Sequence, residues 1–352
     1  MTNARIQNRK ETEDLRIHLS RTIQDIAPEK WTELTGTKNV DQSYQWFRAV
    51  EDSRIRDMYY LFLKERDHLK AAVCCFPQYE KMYAVSMPFL EIRCPLGISN
   101  AFFSRTSKET ELLMKEMEIL RSETNTRGLL ILDLKEEEHS FLNSQLNGFS
   151  TFQLYENTYI DLHFSDFDDY LQSLPAKARR SVRLTLNRSQ RRGITSLYTT
   201  EFSRWKEVAH RLQGYICEEH HNFRWHLPLT FYEGLQAHAK TGIKLVFFFK
   251  DDVPLAFALS LNTPQMTQYK FVGVDPRYRT YEAYFLIYYQ GIKKAIEEKQ
   301  ERIYFGPSTY EFKEKIGCQR EPLYGLVKAQ NTWVNLLLRS TLKGFSLLGK
   351  RI

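Results

Sequence analysis

Two stretches of this 352-residue chain concentrate side chains able to do chemistry. The first, AKARRSVRLTLNRSQRR at residues 176–192, carries Lys177, Arg179, Arg180, Arg183, Arg188, Arg191 and Arg192, with no acidic residue between Asp169 and Glu201. Read as a helix, it sets Arg179 four residues from Arg183 and Arg188 four from Arg192. Such like-charge pairs cost roughly a few tenths of a kcal/mol each. Val182 and Leu186 would turn to the core while arginines reach outward, and guanidinium suits a two-pronged grip on phosphate or carboxylate. The segment is therefore a candidate anion-binding face, the alternative being a solvated face neutralised by the chain's own carboxylates.

The second stretch is GPSTYEFK at residues 306–313, directly after the short strand pattern RIYF. Gly306-Pro307 ends that strand, because proline has no amide proton for the ladder and restricts the residue before it. Ser308 or Thr309 can cap a helix beginning at Tyr310. Lys313 then lies near the helix start, where an amine can stabilise an oxyanion or phosphate, or simply remain a solvated surface lysine. Glu282 and Glu311 are the acidic side chains near this stretch in the predicted layout, and neither can be assigned as proton acceptor from sequence.

Other chemistries find little support. Among nine histidines only His220, His221 and His226 are close in sequence, and no metal is expected there. The five cysteines form no C-x-x-C pair, and Cys74 and Cys75, adjacent in a strand, must point to opposite faces. Neither H-E-x-x-H nor G-x-S-x-G occurs.

The net charge of +7 is compatible with nucleic acid, anionic lipid or a phosphorylated substrate, and chooses none of them. With 42% hydrophobic and 26% charged residues the composition is globular, and the length allows two domains. No apolar run reaches the roughly eighteen residues of a membrane span, and the first residues lack the apolar stretch of a signal peptide, so a cytoplasmic protein without stable membrane insertion is expected.

The elements that must position these residues alternate between helix and strand. Residues 1–26 read as a polar lead-in with some helix, followed by helices from Pro28 and over 40–51. A hairpin over 58–63 and 69–73 comes next, then loops or short strands over 81–103. A helix over 110–122, a buried strand over 128–134, a helix over 136–146 and a strand over 152–162 complete a first half. The second half repeats the scheme: helices over 167–174 and 176–192, a strand over 194–198, helices over 202–219 and 229–239, and strands over 243–249, 253–261 and 268–274. A helix from Tyr281, a strand over 302–305, a strand over 323–328 and a terminal helix over 332–348 close it. The fold class is α/β with mixed central sheets flanked by helices.

LPAKARRSVRLTLNRSQRRGI, followed by YRTYEAYFLIYYQGIKKAIEEK and YFGPSTYEFKEKIGC, resembles the second acyltransferase domain of the Fem-type, peptidoglycan-biosynthesis-like branch of the GNAT superfamily. The resemblance covers residues 161–328; in the first half it rests on element order. It implies two tandem GNAT-like domains of the acyl-CoA N-acyltransferase fold, residues 1–162 and 163–352, with a cleft between them. It also implies transfer of an acyl or aminoacyl group to an amine of a small-molecule or peptide-like acceptor, the donor being aminoacyl-tRNA or another anionic acyl carrier.

By that resemblance Lys313 assists at the transfer site, with Tyr310 and Glu282 as further catalytic candidates. Phe312, Gly306 and Tyr269 shape the site, while Arg179, Arg180 and Arg183 contact the anionic substrate and meet Lys313 at one cleft. No cofactor is called for. Between Val274 and the following helix the chain reads DPRYRT rather than a glycine-rich loop presenting amides to a pyrophosphate, which turns the reading away from acetyl-CoA. Acyl-CoA-dependent N-acyl transfer is the alternative enzyme reading, a non-catalytic RNA- or anion-binding module the alternative outside enzymology, and an inactive scaffold a further one.

Overall fold

Alternating apolar residues build one long sheet, and apolar residues at three- and four-residue steps build the helices that cover it. The computed structural model describes residues 15–82, 85–239, 241–331 and 333–335. In chain order the first part contains β1 (Leu15–Ser20), α1 (Pro28–Thr35), α2 (Tyr44–Ser53), β2 (Tyr59–Glu65), β3 (His68–Met82), β4 (Val85–Ile92), β5 (Phe102–Phe103), α3 (Ser107–Glu123), β6 (Gly128–Leu134), α4 (Glu136–Gln145) and β7 (Ser150–Asp161). There follow α5 (Phe167–Ser173), α6 (Ala176–Arg191), β8 (Ile194–Thr199), α7 (Phe202–Glu219), α8 (Leu229–His238), β9 (Ile243–Lys250), β10 (Val253–Asn262), β11 (Met266–Val274), α9 (Ala283–Glu297), β12 (Arg302–Tyr304), α10 (Tyr310–Lys315) and β13 (Gln319–Ala329). Local signals set several starts: Pro28 opens α1, the Ser43 side chain accepts from the Trp46 amide at α2, and Thr106 with Glu109 forms a reciprocal cap on α3.

The strands join in one 13-stranded mixed sheet, in the order β1-β2-β3-β4-β6-β13-β7-β12-β11-β10-β9-β8, with β5 added to β3. Among the described residues two neighbouring pairs are parallel, β4 with β6 and β11 with β12. Each is registered over a short stretch, Leu90–Ile92 against Leu129–Ile131 and Met266–Gln268 against Arg302–Tyr304, beyond which the ladder between them stops.

The sheet does not divide at residue 162. β12 pairs with β7, and β13, drawn from the end of the described chain, lies antiparallel between β6 and β7. Separate sheets in each half were the expectation; hydrogen bonding replaces them with one continuous sheet. Two local expectations also change. Residues 15–20 form a strand rather than part of a helical lead-in, because all six register against Tyr60–Glu65 of β2. Residues 85–92 form a full strand between β3 and β6 where loops or short strands were expected. The helix expected over 332–348 lies outside the described residues apart from 333–335.

Burial follows the pleat. Cys74 belongs to the core under α1, α2, α7 and α8, whereas Cys75 belongs to the core under α3 and α4, on opposite faces of β3 as adjacent strand residues must be. The first of these cores is built from both parts of the chain: Trp46, Phe47, Tyr60 and Phe62 pack in the same cluster as Phe231, Phe247 and Phe257. At its centre α2 crosses α8 so closely that a Cβ on Gly234 would lie 2.7 Å from the Ala49 carbonyl oxygen. A further core beneath α5, α6 and α9 holds Val182, Phe248, Tyr269 and Ile287.

Candidate active site

Where β11 and β12 part, the chain after β12 makes a strained turn. Gly306, Ser308 and Thr309 all have positive φ, at 73°, 81° and 47°, a conformation costly for the two residues with a side chain. Gly306 is needed for its backbone rather than for room, since a Cβ there would meet nothing within 4 Å. Thr309 occupies the N-cap position of α10 but makes no side-chain cap bond. Lys313 is buried instead of solvated, and its Nζ donates to the carbonyls of Phe305 (2.8 Å), Gly306 (2.9 Å) and Pro307 (3.2 Å). These three bonds use the whole donor capacity of an ammonium group. Burial pulls its pKa down to about 8.

The remaining residues singled out around this turn are packing and anchoring groups. Tyr310 donates its hydroxyl to the Glu156 carbonyl (3.0 Å), with the Arg320 guanidinium 4.5 Å from its ring centre. Phe312 packs against Phe285 and Tyr288 of α9, each 5.0 Å between ring centres. Tyr269 is in the core: its ring stacks 5.8 Å from Phe305, and a Cβ on Gly291 would come within 2.8 Å of it. Glu282 stands at the N-cap of α9 with φ 61°, its carboxylate 3.4 Å from Arg188.

On α6, Arg179 donates to the Gln172 carbonyl (3.3 Å), Arg183 pairs with Asp168 (3.3 Å) and Arg180 is exposed. Arg183 borders a groove between α5, α6, β8 and α9 with Phe167, Leu186, Tyr198 and Lys293, and no residue of 306–313 borders that groove. The acidic partners are thus partly intramolecular, in Asp168 and Glu282.

A second, denser group lies where β4 and β6 part. Glu91 and Arg93 sit two apart on β4 and its extension, and therefore on the same face. Opposite, the β6 ladder to β13 is irregular between Leu134 and Ile131, and Asp133 within it has φ 61°. An irregularity of this kind re-aims a side chain. Asp133 and Arg93, almost completely buried, pair at 2.5 Å, and the Tyr155 hydroxyl from β7 bonds both, donating to Asp133 (2.5 Å) and accepting from Arg93 (2.9 Å).

Burial raises the Asp133 pKa, against the opposing pull of Arg93. Lys270 of β11 donates to the Leu96 carbonyl (2.9 Å) and lies 3.8 Å from Asp41, whose oxygens also accept from the Ile98 amide and the Ser99 hydroxyl. Burial lowers the Lys270 pKa. From the loop between α7 and α8, Arg224 reaches both Glu80 and Glu91, at 3.0 Å from the latter. The Trp225 ring centre lies 5.3 Å from the guanidinium carbons of both Arg93 and Arg224. Burial, reinforced by the hydrogen bond with Glu80, pushes Glu91 up to about 8. Side chains from both sides of residue 162 thus converge on one buried polar cluster.

Comparison with known proteins identifies the architecture. Residues 176–314 match the family described as an acetyltransferase (GNAT) domain. The crystal structure of FemX superposes with a TM-score of 0.62 at 12% identity, over 92% of this chain and 100% of that one. The fold is that of a GNAT acyltransferase. The structure of L-PGS from Bacillus licheniformis matches with a TM-score of 0.56 at 14% identity (92% and 97% of the two chains). A tandem GNAT protein from the clavulanic acid biosynthesis pathway matches at 0.54 and 10% (90% and 99%). No curated protein matches the chain.

Within this GNAT fold, the connection from β11 to α9 is a 3-10 helix over Pro276–Tyr281. Asp275 before it is buried and bound by Arg277 through Nε (3.0 Å) and Nη2 (2.7 Å), which holds its pKa low. The start of α9 is therefore flanked by the carboxylates of Asp275 and Glu282.

Sequence reasoning missed the whole β4–β6 cluster. Its signal was present as charges inside apolar strand runs: FLEIRC around Glu91 and Arg93, and GLLILDL around Asp133. A charge in such a run must be paired when buried. No metal-binding group of His, Cys, Asp and Glu occurs among the described residues. No helix among them is long and apolar enough to cross a membrane.

Proposed function

We propose that this chain transfers an acyl or aminoacyl group from an anionic carrier, with aminoacyl-tRNA favoured, to the amine of a small molecule or peptide-like acceptor. The observation carrying the reading is the parting of β11 from β12 just ahead of the turn clasped by Lys313, inside the stretch matched to the acetyltransferase domain. The reading treats residues 1–162 and 163–352 as tandem GNAT-like domains, with β13 contributed back to the first.

In the reaction, the neutral amine attacks the donor carbonyl, a C–N bond forms and the carrier oxygen leaves with the electron pair of the broken C–O bond. Lys313 holds the carbonyls of residues 305–307 and so positions the turn that borders the reacting group. Tyr310, Phe312 and Gly306 fix that turn, and Tyr269 supports it from the core. Glu282, paired with Arg188 across 3.4 Å, is the candidate for receiving the amine proton. The α6 arginines Arg179, half-buried, and Arg180 and Arg183, exposed, contact the phosphates of the carrier.

A nucleotide coenzyme fits less well. Ahead of α9 lies the 3-10 helix over Pro276–Tyr281 instead of a glycine-rich loop presenting open amides to its pyrophosphate. The test is incubation with charged tRNAs and, separately, acyl-CoAs, against a panel of amines, following loss of the acyl group. Consumption of an aminoacyl-tRNA with formation of an amide is expected. Consumption of acyl-CoA alone replaces the donor, and no consumption of either removes the transferase reading in favour of a binding module.

A further inference from the structure

The cluster between β4, β6 and the α7–α8 loop contains hydrogen-bonding capacity that the protein does not use. Arg56, Arg93 and Arg224 each leave Nε buried without a hydrogen-bond partner among the described residues. Arg93 is only 4% exposed and Glu91 1%, so water does not compensate them as it would on a surface. A buried unmatched donor is destabilising, more so when charged, and several in one place call for a ligand. These groups face one another: Arg224 bonds Glu91, Arg93 and Arg224 lie against the same Trp225 ring, and Arg56 feels the charges of Glu91, Arg224 and Arg93.

Charge limits what that ligand can be. The cations Arg56, Arg93, Arg224 and Lys270 are matched one for one by the carboxylates Asp41, Glu80, Glu91 and Asp133. The donors still open in this balanced set are the guanidinium Nε groups. A single added negative charge suits them better than a pyrophosphate, which would place several surplus negative charges in a buried site.

We propose that this cluster seats the carboxylate of an amino-acid acceptor, received by the unused guanidinium Nε groups of Arg56, Arg93 and Arg224, with Trp225 as its apolar wall. The carboxylate half of the proposal stands on the cluster alone, and the amine half rests on the transferase reading.

Isothermal titration of the intact protein with the twenty proteinogenic L-amino acids, their carboxamides and inorganic pyrophosphate tests it. At least one amino acid is expected to bind, with its carboxamide weaker by about 10- to 100-fold, the loss anticipated for a charge-assisted contact. Arg224→Gln and, separately, Arg56→Gln are expected to weaken the same ligand by about 10-fold or more in variants whose thermal melts remain cooperative. Equal binding of acid and carboxamide, preference for pyrophosphate, or no amino acid bound would each overturn the proposal. Amino-acid binding without consumption of any acyl donor would retain the carboxylate site while removing the transferase reading.

Discussion

The two places where parallel strands part are equivalent in topology and opposite in chemistry. Beyond β12, Lys313 spends all three ammonium protons on backbone carbonyls and holds a turn with residues in left-handed conformations. Beyond β4, Arg93, Arg224 and Arg56 enter a charged cluster with donors still unmatched. A saturated group fixes the scaffold, and an unsaturated one is available to something else. Burial alone does not tell a structural charge from a recognising one; the count of unused donors does.

The largest effect that tests this contrast is removal of Asp133. Asp133→Ala leaves Arg93 buried without its counter-charge, and urea unfolding should show a loss of about 3–5 kcal/mol. An unchanged midpoint would mean that Arg93 is compensated elsewhere and the two sites are less different than they look. Lys313→Met should be the next largest, costing roughly 1–3 kcal/mol for carbonyls that lose their donor, measured the same way. If the lysine only fixes the turn, Lys313→Arg should restore part of the stability and, with it, part of the transfer activity.

The pH dependence of stability separates the sites by sign. Glu91 titrates at about 8 when folded against an ordinary 4.5, so between these values the native state holds the extra proton and stability falls as pH rises. Lys313 titrates at about 8 against 10.5, so above pH 8 the unfolded chain holds the extra proton and stability rises with pH. Thermal melts of Glu91→Gln should lose the decline on the acid side of pH 8, and those of Lys313→Met the gain on the alkaline side. Either slope surviving its substitution would break the assignment.

The smallest effect on stability is expected on α6. Arg180→Gln with Arg183→Gln should change the unfolding free energy by less than about 0.5 kcal/mol, because exposed pairs such as Arg183–Asp168 contribute little. The same double variant should weaken tRNA binding and flatten its salt dependence by about two phosphate contacts, read from filter binding at several salt concentrations.

How much of this was readable beforehand follows the range of the interactions. The basic helix, the strand over 128–134 and the helices on either side of Pro228 were legible because each depends on neighbours a few residues away. Lys313 was legible as a residue of interest, but its orientation was not, since a lysine in a short helix reads the same whether it faces solvent or three carbonyls. The proposed partnership of Arg183 with Lys313 rested on shared charge logic, whereas Arg183 borders a groove that residues 306–313 do not reach. Asp133 and Arg93 were passed over because each is a single charge inside an apolar strand, which becomes informative only when the two strands are known to be neighbours.

The sequence by itself determined the α/β class, most helices and strands, the basic face of α6 and the strand end at Gly306-Pro307, all of them products of local periodicity, proline and glycine. Tertiary structure alone decided that β13 returns between β6 and β7, that one sheet runs through both halves, and that Asp41, Glu91, Arg93, Asp133, Arg224 and Lys270 meet. Strand pairing and the balance of buried charges are settled by partners far apart along the chain, and only a folded arrangement brings those partners within the few ångströms over which hydrogen bonds and ion pairs act.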